Sequence, residues 1–408
     1  MPRTILKFLA MLVLASVLTG APAWGETLSF AQARELALAQ HEGLKALARE
    51  IAAAEAAVRQ AGAYPNPEVE IAAEDFGEAE VEVVLSQVLP IGGTRGAVVA
   101  VARCEEEIAH LRLESARISV EAELVRRFIP LLAARRRLSL LDSLLDVSAR
   151  TTEEVQRLVD AGGAMALDLV RSELEADELR LERAEIMRSL AESRLRLSEL
   201  WGERAFGFDG VEGSLARRVN LPPPGDISAA AETHPDLLLL EKRTRLIEAE
   251  MEEASAERWP ELTLSGGYIR DNEMDEEAAI VGVSFPLPVF DRNSAAVTEK
   301  LHEMAASEHG AAADWLERAA AARELHSQIS GTGRELAALS GDLLRRAAHI
   351  HEALEEYYVQ GKTGILDVLE ARSYLLDLRM RIIDLQEEQA QLAADLVELT
   401  GYRIQIIE

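Results

Sequence analysis

The strongest constraint on this chain is that one stretch of it occurs twice. Leu354–Gly401 reads LEEYYVQGKTGILDVLEARSYLLDLRMRIIDLQEEQAQLAADLVELTG, and Val155–Gly202 reads VQRLVDAGGAMALDLVRSELEADELRLERAEIMRSLAESRLRLSELWG. Aligned without gaps, they share Gly162/Gly361, Leu167/Leu366, Asp168/Asp367, Leu200/Leu399 and Gly202/Gly401. Each copy is a helical run, a turn of small residues, and a long arm free of Pro and Gly until its closing Gly. Glycine at the turn supplies the backbone freedom a reversing chain needs. The pattern predicts a helical hairpin, made twice.

The arm of the second copy carries two apolar series at 3,4 spacing. One is Leu366, Leu369, Ser373, Leu376, Met380, Ile383, Glu387, Ala390, Ala394 and Val397; the other is Leu375, Leu378, Ile382, Leu385, Gln389, Leu392, Leu396 and Leu399. Such series lie roughly 100° apart around one helix. A helix with two seams has a neighbour on each side, as in the wall of a cylinder. One wide apolar face in an ordinary bundle fits the same residues.

The order of elements repeats as well. Thr27–Gly62 reads as helix, with Ser29 as its cap. Tyr64-Pro65-Asn66-Pro67 breaks it, and Glu68–Glu74 then alternates, with Val69, Ile71 and Ala73 opposite Glu68, Glu70 and Glu74. After a break at Gly77-Glu78, Ala79–Pro90 sets Val81, Val83 and Leu85 opposite Glu80, Glu82 and Ser86. This predicts a β-hairpin with one apolar and one acidic face. A long helix follows to about Ala161, with an interruption and kink expected at Pro130. In the second half, Ile227–Glu257 reads as helix, and Leu262–Arg270 with Ala278–Leu287 as a hairpin. Pro286-Leu287-Pro288 leads into a long helix, Asn293–Gly361. His234-Pro235-Asp236-Leu237 answers His41-Glu42-Gly43-Leu44, and Trp259-Pro260-Glu261 answers Tyr64-Pro65-Asn66. The expected units are therefore a first repeat over 26–205, a Gly/Pro-rich linker over 206–225 and a second repeat over 226–408.

Each long helix, at about 70 residues, would reach roughly 100 Å, and each short one about half of that. Two short helices stacked end to end match one long one, which suits a tube of uniform height. Residues 1–25 read as a secretory signal: Arg3 and Lys7, the apolar run Phe8–Leu18, and a small-residue cleavage site at Ala21-Pro22-Ala23. Cleavage is expected after Ala23 or Gly25. No cysteine follows the run, so a bacterial lipid anchor there is not expected. Cys104 is the only cysteine of 408 residues, which excludes an internal disulfide. The net charge of −28 repels nucleic acid.

Each strand is long enough, at about 9–11 residues, to cross an outer membrane when tilted. Four strands cannot close a barrel, and an open edge in lipid costs several kcal/mol for each unpaired group. The strands must then pair with those of other copies. The competing reading is a soluble periplasmic coiled-coil adaptor or scaffold in which the hairpins form a small sheet.

Two-fold repetition of helix, Pro-bounded hairpin, long helix and Gly-turn-Leu-Asp-x-Leu helix resembles the TolC family of outer membrane efflux proteins. The resemblance covers essentially the whole chain after residue 25. It rests most on Gly361-Lys362-Thr363-Gly364-Ile365-Leu366-Asp367-Val368-Leu369-Glu370-Ala371, Leu85-Ser86-Gln87-Val88-Leu89-Pro90 and Val283-Ser284-Phe285-Pro286-Leu287-Pro288. It implies a mainly α fold: a homotrimeric twelve-helix α-barrel continued by a shared twelve-strand barrel in outer-membrane lipid. It also implies a periplasmic adaptor and an inner-membrane pump of RND type as partners, and no cofactor. The acid-rich sequence looks most like the heavy-metal cation branch.

By the same resemblance, Gly162, Gly163, Asp168, Gly361, Thr363 and Gly364 form tips that meet the adaptor. Asp367 and Glu370 match an acidic pair that narrows the entrance; at i and i+3 they share a helix face. Three copies would gather six carboxylates, a ring that attracts cations. The bland alternative for Asp367 is a partner for the helix dipole. Arg171 stands where the second repeat has Glu370, and pairing with Asp367 or Glu370 would hold the entrance shut. Glu68, Glu70, Glu74, Glu80 and Glu82 would line the pore, because charge facing lipid costs about 2–4 kcal/mol at mid-membrane.

No metal site is expected from the eight histidines, since neither His302 with His309 nor His349 with His351 has a usual ligand spacing. The sequence has no GxSxG, HExxH, phosphate loop or dinucleotide fingerprint, so no enzyme is expected.

Overall fold

The structure, a computed structural model, describes residues 27–74, 80–202, 207–216, 218–271 and 275–407. The expected secretory segment and the break at Gly77-Glu78 lie outside the described residues. The first repeat contains β1 (Thr27–Leu28), α1 (Phe30–Gln40), α2 (Glu42–Ala61), β2 (Glu68–Glu74), β3 (Glu80–Leu89), α3 (Thr94–Asp160) and α4 (Ala166–Ser198). The linker carries β4 (Gly210–Val211). The second repeat contains α5 (Pro224–Glu232), α6 (Pro235–Ala256), β5 (Leu262–Asp271), β6 (Glu276–Ser284), α7 (Ser294–Ala338), α8 (Leu344–Val359) and α9 (Ile365–Thr400).

Ser29 caps α1 as expected: its N–H donates to Gln32 Oε1 at 2.9 Å and its Oγ accepts from Gln32 N at 3.4 Å. The two short helices are not continuous, however. Each is broken at the histidine that the repeat aligns. Nδ1 of His41 accepts from Leu44 N at 3.4 Å, and Nδ1 of His234 accepts from Asp236 N at 3.2 Å. Each imidazole thus satisfies an N–H that a new helix start leaves without a partner. The second long helix is also divided. A π turn at Leu339–Leu343 separates α7 from α8, with Gly341 at φ −85°, ψ −112°.

The opposite correction applies to α3. All 67 residues form one helix that runs across Pro130 without interruption. Proline there removes one backbone hydrogen bond, but its neighbours Phe128, Ile129 and Leu131 are fully buried. At this level Phe30 meets Phe128 edge-on, with ring centroids 5.4 Å apart. Trp201, Phe208, Val211 and Val219 complete the core around them. β1 pairs in parallel with β4, and Leu215 bridges Ile407, while Arg135 donates to Val211 O at 2.6 Å, so the linker ties the stretches at Thr27 and Ile407 to the middle of α3. At roughly 1.5 Å per residue, α3 alone is about 100 Å long.

Both seams of α9 are used. Leu376 and Met380 of the first pack on Leu141, Leu144 and Leu179, which belong to α3 and α4. Ile382 and Leu385 of the second pack on Leu336 of α7, and Leu375 and Leu378 pack on Ala347 of α8. Gln389, the polar member of the second seam, is buried with both ends satisfied. Its Oε1 accepts from Val219 N at 3.1 Å, and its Nε2 donates to Ile329 O at 3.1 Å. Burying an amide costs little when each of its ends finds a partner.

Candidate functional site

The two hairpins join into one antiparallel sheet of order β2-β3-β5-β6. Its register sets Val69 opposite Leu85 and Ile71 opposite Val83; Val83 then faces Tyr268, and Gly266 faces Val281. Apolar residues therefore gather on one face, where Ile71 is 70 % and Val281 88 % exposed. On the other face Glu68 lies opposite Ser86, and Glu82 opposite Ala72 and Ile269. Glu70 shares that face, and Glu74 is paired in register with Glu80. Among the described residues no strand pairs with the outer edge of β2 or of β6. β6 ends at Ser284 rather than at the expected Leu287, because Pro286 and Pro288 cannot donate to a ladder.

Where the sheet meets the helices, Arg95 stacks 4.4 Å above the Tyr64 ring and donates to Gly62 O at 2.8 Å. Gly92, at φ +72°, lies directly against Trp259: a Cβ there would fall 2.3 Å from that residue's Cβ.

At the far end the two tips have the same backbone. Gly162 (φ +74°) donates to Val159 O at 3.0 Å, and Gly361 (φ +67°) to Tyr358 O at 2.9 Å. Gly163 donates to Leu158 O at 2.7 Å, and Lys362 to Tyr357 O at 2.9 Å. Asp168 Oδ2 accepts from Met165 N at 3.2 Å, and Asp367 Oδ2 from Gly364 N at 3.3 Å. Thr363 also donates its hydroxyl to Asp367. Within the chain, Asp367 therefore takes the helix-start role. Gly162, Gly163, Gly361 and Gly364 are exposed at these turns.

Arg171 pairs with neither Asp367 nor Glu370. It lies 3.6 Å from Asp168 on its own helix, one turn away, while Asp367 is engaged by its cap. Arg171 and Glu370 do line one groove of about 420 Å³ between α4 and α9, together with Glu178, Glu182 and Asp377. Burial, and then the Asp377 and Glu185 charges, push the Glu182 carboxyl above its usual range.

Beneath that groove lies a residue the sequence reading missed. Arg372 is buried and reaches Glu175 at 3.1 Å, Thr151 at 2.9 Å, Glu355 at 3.3 Å and His351 at 3.4 Å. It joins α9 to α3, α4 and α8. A charge falling between two apolar seams was the available signal, but its partners come from three separate stretches. His110 was also passed over; the structure sets it beside Glu55 and Glu106.

The family model "Outer membrane efflux protein" matches residues 33–203 and 227–402, one segment for each repeat. The chain is 27 % identical over 380 residues to the cobalt-zinc-cadmium resistance protein CzcC of Cupriavidus metallidurans, covering 92 % of this chain and 90 % of that one. It is 26 % identical over 334 residues to the nickel-cobalt-cadmium resistance protein NccC of Alcaligenes xylosoxydans xylosoxydans, covering 80 % and 75 %. Among solved structures, CusC superposes with a TM-score of 0.75 at 16 % identity, covering 91 % of this chain and 92 % of that one. The outer membrane protein VceC of Vibrio cholerae gives 0.70 at 16 %, covering 91 % and 96 %. These matches overturn the adaptor or scaffold alternative: the chain belongs to the outer membrane efflux protein family.

Proposed function

We propose that three copies of this chain close a single passive duct across the outer membrane, and that the duct exports divalent heavy-metal cations. One observation carries the closure. Among the described residues the sheet has an apolar face exposed and two edges unpaired, an arrangement that neither water nor lipid tolerates in a lone copy. Pairing β6 of one copy with β2 of the next satisfies both edges, and three copies give a ring of twelve strands. Glu68, Glu70, Glu74, Glu80 and Glu82 then face the lumen. The helices continue the tube toward the periplasm for about 100 Å.

The tips at Gly162, Gly163, Asp168, Gly361, Thr363 and Gly364 are the docking points for a periplasmic adaptor, which joins the duct to an inner-membrane pump of RND type. Glu370 and Asp367 from three copies narrow the entrance, with Arg171 tempering the charge from the neighbouring helix. The duct itself performs no chemistry and needs no cofactor. The metal cargo is supported by the names of the related resistance proteins and by the −28 net charge, which favours cations.

Two measurements test this. Extraction from outer membranes should require detergent and yield a species that cross-links to a trimer; release by salt as a water-soluble monomer would overturn the duct. Deleting the gene should raise susceptibility to cobalt, zinc, cadmium or nickel. Sensitisation to drugs alone would keep the duct and overturn the cargo.

A further inference from the structure

α3 carries three consecutive glutamates, and the structure sends them in different directions. Glu107 pairs with Lys242 of α6. The charge of Glu105 bears on Glu253 of α6. Glu106 lies near Glu55 of α2, and His110, one helical turn further along α3, joins them. A ligand atom from each of the three lies within 4.8 Å of the other two. Among the described residues, none of the three side chains makes a hydrogen bond or an ion pair.

The helices beneath them are fixed, because Ile51 of α2 and Ala102, Ile108 and Ala109 of α3 are buried close by in sequence. An imidazole one turn from a carboxylate on a single helix is a common way to hold a metal, since i and i+4 side chains point the same way. We infer that Glu55, Glu106 and His110 form a binding site for a divalent transition cation of the zinc, cobalt or nickel class, on the wall of the tube just below the sheet. Glu106 stands about 18 Å along α3 from its start at Thr94, at 1.5 Å per residue.

The donor set determines the class. One nitrogen and two carboxylate oxygens suit borderline divalent ions, whereas magnesium and calcium prefer oxygen alone. Three protein ligands leave further coordination positions to water, so the ion exchanges readily. Because the ligands come from two helices, a bound ion also staples α2 to α3. The site goes beyond the export reading, and binding to it needs neither pump nor adaptor.

The test uses the full-length detergent-solubilised protein, with zinc and cobalt ions as probes. Equilibrium dialysis at physiological salt should give one tightly held zinc per chain, and cobalt should show the visible bands of a nitrogen- and oxygen-ligated ion. His110→Ala and Glu55→Gln should each weaken binding by about tenfold or more. Glu105→Gln, which removes the same charge from the adjacent residue, should leave it unchanged. Zinc should raise the melting temperature of the parent protein and not that of His110→Ala. Circular dichroism of each variant checks that the helices are intact, and all three substituted side chains lie at or near the surface. The inference is overturned if the parent protein holds no zinc above background, if the variants bind as it does, or if Glu105→Gln loses as much as Glu55→Gln.

Discussion

Arg372 Nη1 lies 3.1 Å from Glu175 Oε2, and that single ion pair spans from one repeat to the other. Arg372 is buried, 2 % exposed. Burial pushes the Glu175 carboxyl upward, while Arg372 and the Ser148 hydroxyl draw it down. Removing one partner of a buried pair leaves the other charged and dry, which costs about 3–5 kcal/mol. Glu355 is 40 % exposed and can turn to water, so the lower figure applies. Arg372→Ala should therefore destabilise the tip end by about 3 kcal/mol, read as faster amide exchange in α8 and α9 below the tip. Glu175→Gln, which keeps an acceptor for the guanidinium, should cost less than half as much.

His234 gives the fold a dependence on acidity. Burial, followed by the smaller effect of Arg318, holds its pKa below the ordinary 6.5, while Asp236 pulls it upward. Its Nδ1 must stay unprotonated to cap α6. The unfolded chain accepts a proton near 6.5 and the folded one only at lower pH, so stability is full above 6.5 and falls as pH drops below it. Melting temperature should decline between pH 7 and pH 5. His234→Asn, which keeps a capping oxygen, should flatten that decline.

Gly92 and Gly93 provide a matched pair. Both have positive φ, +72° and +87°, but only at Gly92 would a Cβ strike Trp259. Gly93→Ala should cost about 1 kcal/mol of backbone strain. Gly92→Ala adds a collision that moves the indole and should cost more than twice that. Thermal unfolding in detergent separates the two.

The outward face of the sheet should reject charge. Val281→Arg places a cation where lipid is expected and should cost about 2–4 kcal/mol, seen as loss of the protein from the outer-membrane fraction. Glu70→Gln on the opposite face should insert normally.

Asp367 and Glu370, the pair proposed to narrow the entrance, divide between two roles. Asp367→Ala should mainly lose the cap, about 1 kcal/mol. Glu370→Gln removes a charge that faces the groove and should raise single-channel conductance in planar bilayers. An unchanged conductance in Glu370→Gln would remove that residue from the gate.

Much of this architecture was legible in the sequence because it is periodic. The duplicated Gly-turn-Leu-Asp motif located both tips, and alternation from Glu68 to Leu89 placed the hairpin with the correct faces. The two series on α9 each found a separate neighbour. What escaped was set by single residues acting against type. A histidine is a weak signal for a helix start, so the breaks at His41 and His234 leave no clear mark in the sequence. Pro130 was expected to interrupt a helix that buried neighbours hold intact. Gly341 offered no sign that it, rather than Gly331 or Gly333, would divide α7 from α8. Side-chain partners were the least readable: Arg171 turned to Asp168 on its own helix, and Glu55 meets His110 only because α2 folds back along α3. Glu106 and His110 stand four apart on one helix, but nothing in the sequence brings Glu55 to them.

The unlike edges of the sheet have a genetic consequence. β2 and β6 have different sequences, so in the proposed ring copies would join head to tail and every member would contribute to two junctions. A chain damaged on one edge would still join by the other, and would carry sound copies into an assembly that cannot seal. Expressed beside the normal gene, such an allele should poison resistance rather than merely fail to supply it.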